Sequence, residues 1–411
     1  MSSHSLNQLA QEETVSTPRF SRRRLLQMAG GALLGGALTA CNTEADSSAI
    51  PVKIGYIPIT DATPLLIAHH NGYFTEEGLT SEPPILIRGW SELSEAFMAR
   101  TFNLVHLLLP ISIFMRYNLK YPVKVVAWNH LNNSAITVHS EGGINSLADL
   151  GGRQIAVPYW YSMHNVVLQL AIRTMGLEAV IQDANLPLAP NQVNLLVMKP
   201  PDMPTALGTG AIDGYIVAEP FNAAGELLAG GKIIRFTGDI WKNHPCCVAV
   251  LHEESVVKNR VWAQKVINAL TKAELWTHDH KEEAAHILSK DGGGYLPLPE
   301  KILLRAMLKY DLETYGSAGT GAIRHPEWEI SRIGFQPFQF RSDTRRMVEL
   351  LKETLIKGDS AFLASLSPDL VVEDLMEYGM VTNAIETLGG LKQFDGIDPN
   401  SPYDRQAMIE V

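Results

Sequence analysis

Strand-like and helix-like runs alternate from Ile54 to Leu251, and this alternation constrains the fold more than any single motif. Ile54, Tyr56 and Ile57 read as a strand that Pro58 ends. Asp61 then stands where a carboxylate accepts from the free N–H groups of a helix's first turn. Pro64 falls where a missing N–H costs little. Leu65 to Ala68 supply a buried face, and Asn71-Gly72 stops the helix. The pairing recurs as strand Pro84–Arg88 with helix Glu92–Arg100, strand Leu104–Leu109 with helix Ile111–Tyr117, and strand Val123–Ala127. Strands joined through helices run parallel, and the helices cover both faces of the sheet.

Ser134–Val138 leads into His139-Ser140-Glu141-Gly142-Gly143, a hinge by composition. Residues 146–250 repeat the alternation, with strands at Gln154–Val157, Val193–Val197 and Ile212–Val217. A helix over Met163–Met175 and helix starts at Met203 and at Glu219-Pro220 separate them. Pro245–Leu251 reads as a strand crossing back to the first unit. Val261–His278, Ala284–Leu288, Ile302–Leu308 and Met347–Ile356 are helical and are expected to pack on that first unit. The expectation is an α/β chain of two lobes, 52–138 with 251–411 and 139–250, closing about a hinge.

The chain has 411 residues, and its net charge of −10 argues against a nucleic-acid partner. Three cysteines are too few for a disulfide framework. After residue 41 no run is long and apolar enough to cross a membrane. Upstream, Ser21-Arg22-Arg23-Arg24-Leu25-Leu26, an apolar Gly/Ala-rich run and Leu38-Thr39-Ala40-Cys41 follow in the order of a signal peptide. The order resembles a twin-arginine export signal ending in a bacterial lipobox. That resemblance implies a signal over 1–40, lipidation of Cys41, a tether over 41–51, and a place on the periplasmic side of the bacterial inner membrane.

From about Val52 to the end the chain resembles the periplasmic solute-binding proteins of nitrate, bicarbonate and sulfonate ABC importers, closest to the nitrate and bicarbonate branch. The residues that carry the likeness are Thr60-Asp61-Ala62-Thr63-Pro64-Leu65, Gly72-Tyr73-Phe74 with Gly78-Leu79, Trp90 and His164-Asn165. Met203-Pro204, Ala211–Asn222, Asp239–Pro245, Phe394-Asp395-Gly396 and Asp398-Pro399 continue it. The resemblance implies a type II-like periplasmic-binding-protein fold with a helical C-terminal part. It also implies a monomer without cofactor, binding a small solute for ABC permease and ATPase subunits.

By motif match, the tryptophan and histidine that nitrate-type binders use fall on Trp90 and His164. Their glutamine, glycine and lysine positions fall on Ser134, Ala218 and Cys247. The lost lysine matters most, because a small buried anion needs a positive partner. Asp61 and Glu219 stand nearby, and a carboxylate beside an aromatic ring suits a planar cation. The expected solute is therefore a guanidinium-like cation or an amide. Nitrate, nitrite, cyanate, bicarbonate or sulfonate remains the alternative in the same receptor. His244, Cys246 and Cys247 raise a metal reading, but neighbouring strand residues point to opposite faces, so no metal is expected. The same segment is a thin match to pyrimidine-forming enzymes of thiamine synthesis, and no hydrolase, zincin or P-loop motif supports an enzyme.

Overall fold

The computed structural model describes residues 50–329, 331–394, 397, 398, 400 and 402–411. The export segment and Cys41 lie outside these residues. In chain order the strands are β1 (Ile54–Tyr56), β2 (Ile85–Leu86), β3 (Leu104–Leu108), β4 (Val123–Trp128), β5 (Leu131–Asn132), β6 (Ser134–His139) and β7 (Arg153–Val157). They continue with β8 (Glu178–Val180), β9 (Gln192–Val197), β10 (Gly214–Ala218), β11 (Gly231–Phe236), β12 (Cys247–His252) and β13 (Ile333–Gly334).

One sheet has the order β2-β1-β3-β12-β4 and a second the order β11-β6-β10-β7-β9-β8. Helix-linked strands pair in parallel, as β1 does with β2 and β3, and β7 with β9 and β10. Within these two sheets the antiparallel pairings are made by the crossing strands, and β13 pairs antiparallel with β5 apart from them. β12 lies antiparallel between β3 and β4, and β6 antiparallel between β10 and β11. A strand that arrives from the other sheet without an intervening helix need not keep the parallel sense. The change of sheet also falls earlier than the lobe boundaries expected from sequence. β6 already pairs in the second sheet and all of β12 pairs in the first, so the chain crosses near Asn133 and near Pro245.

Leu104–Leu108 is buried throughout, which fits a strand covered on both faces. The helix Thr63–His70 buries Thr63 to Ala68 and ends before Gly72, whose φ of 76° lets the chain turn at a place where a Cβ would strain it. The 20-residue helix Arg260–Asp279 packs on Thr63–His70 and on Tyr378–Thr387. The C-terminal part does not keep to the first sheet's side. Glu300–Met307 packs on Phe221–Leu228, and Leu355 N–H donates to Gln169 Oε1 at 2.7 Å in the helix Met163–Thr174. These contacts tie the C-terminal residues to helices of both sheets.

Candidate functional site

β12 runs antiparallel to β3 and β4, so its start meets their C-terminal ends: Cys247 pairs with Leu108 and Val248 with Trp128. In the second sheet Ser134 begins β6 opposite Ala218, the last residue of β10. The loops after β1, β4 and β10 and the entry to β12 therefore gather at one edge, which is where open α/β sheets hold ligands. Across it, Thr60 N–H and Oγ1–H both donate to Glu219 O, at 2.9 and 3.1 Å. At the rim Arg88 pairs with Asp202 at 2.8 Å, and Lys199 bonds to Glu92.

Asp61 is at the centre, fully buried. It is not the helix cap that its position suggested. It lies in a 3-10 turn, Thr60–Ala62, and the helix after it has Ala62 at its N-cap with no side-chain cap bond. The carboxylate turns inward instead. Oδ2 accepts from Asn133 Nδ2 at 2.6 Å, and Oδ1 lies 2.8 Å from His130 Nε2. Oδ1 also takes the thiols of Cys247 and Cys246, at 3.1 and 3.6 Å. Burial pushes the Asp61 carboxyl up, but the His130 charge and hydrogen bond outweigh it and hold it at about 2. Burial likewise opposes charge on His130, and Asp61 reverses this to about 10. Cys247 N–H sits 3.3 Å from the same Nε2, but the shorter contact puts the Nε2 proton toward the carboxylate.

Both thiols thus reach one oxygen, against the expectation that adjacent residues diverge. The alternation applies only within a strand, and β12 begins at Cys247, leaving Cys246 in irregular backbone after Pro245. Asp61, His130, Cys246 and Cys247 form a cluster whose donor atoms lie within 4.8 Å of one another, able in principle to hold a metal ion. His244 is engaged elsewhere, 2.8 Å from Thr237 Oγ1, and burial lowers its pKa to about 3.

Around this cluster several buried polar atoms have no protein partner. They are Trp90 Nε1, His106 Nδ1, Asn129 Oδ1, His130 Nδ1, Asn133 Oδ1 and His164 Nδ1. Each such atom costs roughly 1–3 kcal/mol if left unmet. Trp90 opens the helix Trp90–Met98 with its ring 5.5 Å from that of His106. His106 Nε2 accepts from Ile57 N–H at 3.1 Å, so Nδ1 carries the proton and faces inward as a donor. Burial keeps His106 neutral, lowering its pKa to about 4. His164, behind the N-cap Ser162, shares a 2.9 Å hydrogen bond with Ser134 Oγ, and burial lowers it to about 4 as well. Among the described residues no lysine or arginine side chain bonds to Asp61, His106, His130 or His164.

Glu219 differs from its expected place. Its Oε2 accepts from Ala223 N–H at 3.0 Å, and its Oε1 takes Arg332 Nε at 2.9 Å. Burial disfavours charge on both partners. It outweighs Arg332 and raises the Glu219 pKa, whereas Glu219, Tyr315 and Glu226 more than reverse it for Arg332, which stays charged. Glu219 is therefore committed to the protein itself. The structure brings Asp61, Trp90, Ser134, His164, Ala218 and Cys247 to the shared edge. His106 and Asn129 complete it without having been singled out, beside His130 and Asn133 of the polar loop expected near the crossing, both of which bond to Asp61. His106 was visible as the one polar residue in an otherwise apolar strand, and Asn129-His130 as polar residues directly after β4.

A family model described as the NMT1-like family matches residues 45–289. The nitrate/nitrite binding protein NrtA of Nostoc sp. is 26% identical over 259 residues, which are 58% of this chain and 56% of that protein. The nitrate import ATP-binding protein NrtC of Synechocystis sp. is 27% identical over 263 residues, 62% of this chain and 38% of that protein. The chain thus spans about half or less of the length of these relatives. The crystal structure of the periplasmic nitrate-binding protein NrtA from Synechocystis PCC 6803 superposes with a TM-score of 0.70 at 17% identity, covering 87% of this chain and 93% of that one. The fold is that of periplasmic binding proteins.

Proposed function

Because the chain belongs to the NMT1-like family, we propose that it is the solute receptor of an ABC importer. It binds rather than catalyses, and it closes two lobes on a small solute that a permease then accepts from the closed form. In this reading residues 1–40 direct export and Cys41 carries the lipid that holds the receptor at the periplasmic face of the inner membrane. ATPase and permease subunits are its partners, and the importers named by its relatives supply the class.

The solute is a small nitrogen-rich donor, a guanidinium-like cation or an amide. One observation carries this: a fully buried carboxylate, Asp61, has the unpartnered acceptors Asn129 Oδ1 and Asn133 Oδ1 beside it, and its cationic partner is the His130 imidazolium, which can lose its proton where a lysine or arginine could not. A guanidinium or a urea-like amide offers several N–H groups to such acceptors, and it would displace His130 from the carboxylate. The second reading is a nitrate-class anion. It is favoured by the donors Trp90 Nε1 and His106 Nδ1, which could hold an oxyanion beside the His130 imidazolium.

A thermal-shift series on the chelator-treated protein with guanidinium, urea, nitrate, bicarbonate, cyanate and taurine separates them. At about 100 times its dissociation constant the true solute adds about 2.7 kcal/mol of stability. Guanidinium or urea is expected to respond. A response confined to nitrate or bicarbonate would overturn the cation-or-amide assignment.

A further inference from the structure

The groups around Asp61 form a donor set that solute recognition alone does not account for. A cation or amide needs the carboxylate and neutral acceptors. It gains nothing from two thiols aimed at the same oxygen. Measured from Asp61 Oδ1, His130 Nε2 lies at 2.8 Å, Cys247 Sγ at 3.1 Å and Cys246 Sγ at 3.6 Å. All four residues are buried, and all four donor atoms fall within 4.8 Å of one another. Tetrahedral zinc, with bonds of about 2.0–2.3 Å, sets neighbouring ligand atoms roughly 3.3–3.8 Å apart. Small outward shifts of the side chains would therefore admit an ion. The donors come from three separate chain segments, after β1, after β4 and at the entry to β12. Asn133 Nδ2 fixes Asp61 Oδ2 at 2.6 Å and leaves Oδ1 toward the cluster, which is the orienting role that outer partners play for a ligating carboxylate.

We propose that Asp61, His130, Cys246 and Cys247 bind one thiophilic metal ion of the zinc class. Two sulfurs and an imidazole select such an ion over calcium or magnesium, which prefer all-oxygen shells. Loading replaces the thiol protons and the His130 Nε2 proton with the metal, and those protons pass to solvent. No oxidation change is involved. The inference rests on the solute reading in one respect only. Asp61 serves both, so a loaded metal excludes a solute that needs this carboxylate.

The test uses the full chain, stripped with a chelator, kept reduced with a phosphine, and titrated with Co2+ and then Zn2+. One Co2+ per chain is expected, with sulfur-to-metal charge-transfer bands and the absorption of a tetrahedral ion, both removed by Zn2+. Cys246→Ser and Cys247→Ser are each expected to weaken zinc binding about tenfold or more, and the double variant to lose the charge-transfer bands. Melting curves establish that each variant is folded. A folded wild-type chain without charge-transfer bands overturns the proposal. So do bands and zinc affinity that survive in a folded double variant, since the ion would then sit elsewhere. Solute titrations in chelator are read separately. Solute binding without metal binding leaves the receptor reading standing and removes this one. Metal binding without any solute response does the reverse.

Discussion

Asp61 and Glu219 are both carboxylates, both essentially fully buried, and both follow a strand at the same edge of the molecule. Their partners divide them. Glu219 has a permanent cation, Arg332, a backbone N–H from Ala223 and a wider network through Tyr315, whose hydroxyl accepts from Arg332 Nη1 at 3.0 Å. Asp61 has an imidazole, an amide and two thiols, groups that can give up a proton or turn away, and unpartnered polar atoms surround it. The first arrangement holds lobes and C-terminal part together. The second is what a site looks like. Burial and residue type are the same in both, so the kind of partner, and whether it can be exchanged, separates structure from function.

The sharpest way to break the comparison is to remove Arg332. Arg332→Ala strands a buried carboxylate and should cost about 3–5 kcal/mol of unfolding free energy in urea. Glu219→Gln combined with Arg332→Met should recover much of that, because replacing both partners removes the uncompensated charge. If Arg332→Ala costs no more than a surface substitution, Glu219 is not the fixed anchor described. Asp61→Asn is the counterpart. It should lower affinity for the solute by about 10- to 100-fold, the loss of a charged hydrogen bond. Its effect on unfolding should stay well below that of Arg332→Ala, since His130 can become neutral. A folded Asp61→Asn protein with wild-type affinity would return Asp61 to the same class as Glu219.

Trp90→Phe asks a finer question about the unpartnered atoms. It keeps a ring near His106 and deletes Nε1–H, which has no protein partner. Binding of an amide or an oxyanion, whose oxygen can accept from that N–H, should weaken by about 1 kcal/mol by calorimetry. Binding of a guanidinium, which has no acceptor, should not, and the melting temperature of the free protein should hold or rise. A lower melting temperature with unchanged affinity would mean that Trp90 packs the core and touches no solute.

Much of this was legible in the sequence. Strand–helix alternation gave the parallel portions of both sheets, because pattern is local. The crossing strands defeated it, since β6 and β12 take their direction from where they enter a sheet, and no local pattern records that. The same limit governs the site. Trp90, His164 and Ser134 were readable from motif position. The role of Glu219 was not, because Arg332 lies 113 residues away in sequence. Position alone also suggests a cap for Asp61, since a carboxylate before a helix ordinarily is one, and only its tertiary partners turn it inward. The expected divergence of the cysteine pair assumes a strand from Pro245, and β12 begins two residues later, at Cys247.

A third carboxylate sets the scale at the exposed end of the comparison. Asp374 takes Arg116 through two oxygens, Oδ2 from Nε at 2.5 Å and Oδ1 from Nη2 at 2.6 Å, with its own side chain 36% exposed. The Arg116 hydrogen bond outweighs burial and lowers its pKa below the ordinary carboxylate value. A lowered folded-state pKa means that the unfolded chain binds the proton more tightly. The pair's contribution is therefore full above the unfolded carboxylate pKa of about 3.9 and is lost as the pH falls through the folded value. Water screens a pair this exposed, so about 1 kcal/mol or less is at stake. Asp374→Asn should flatten the acid limb of stability against pH by that amount and leave the curve above pH of about 6 parallel to wild type. It should not change solute affinity at all. If it does, the division between exchangeable and fixed carboxylates fails, because a charge remote from the shared edge would be acting on the site.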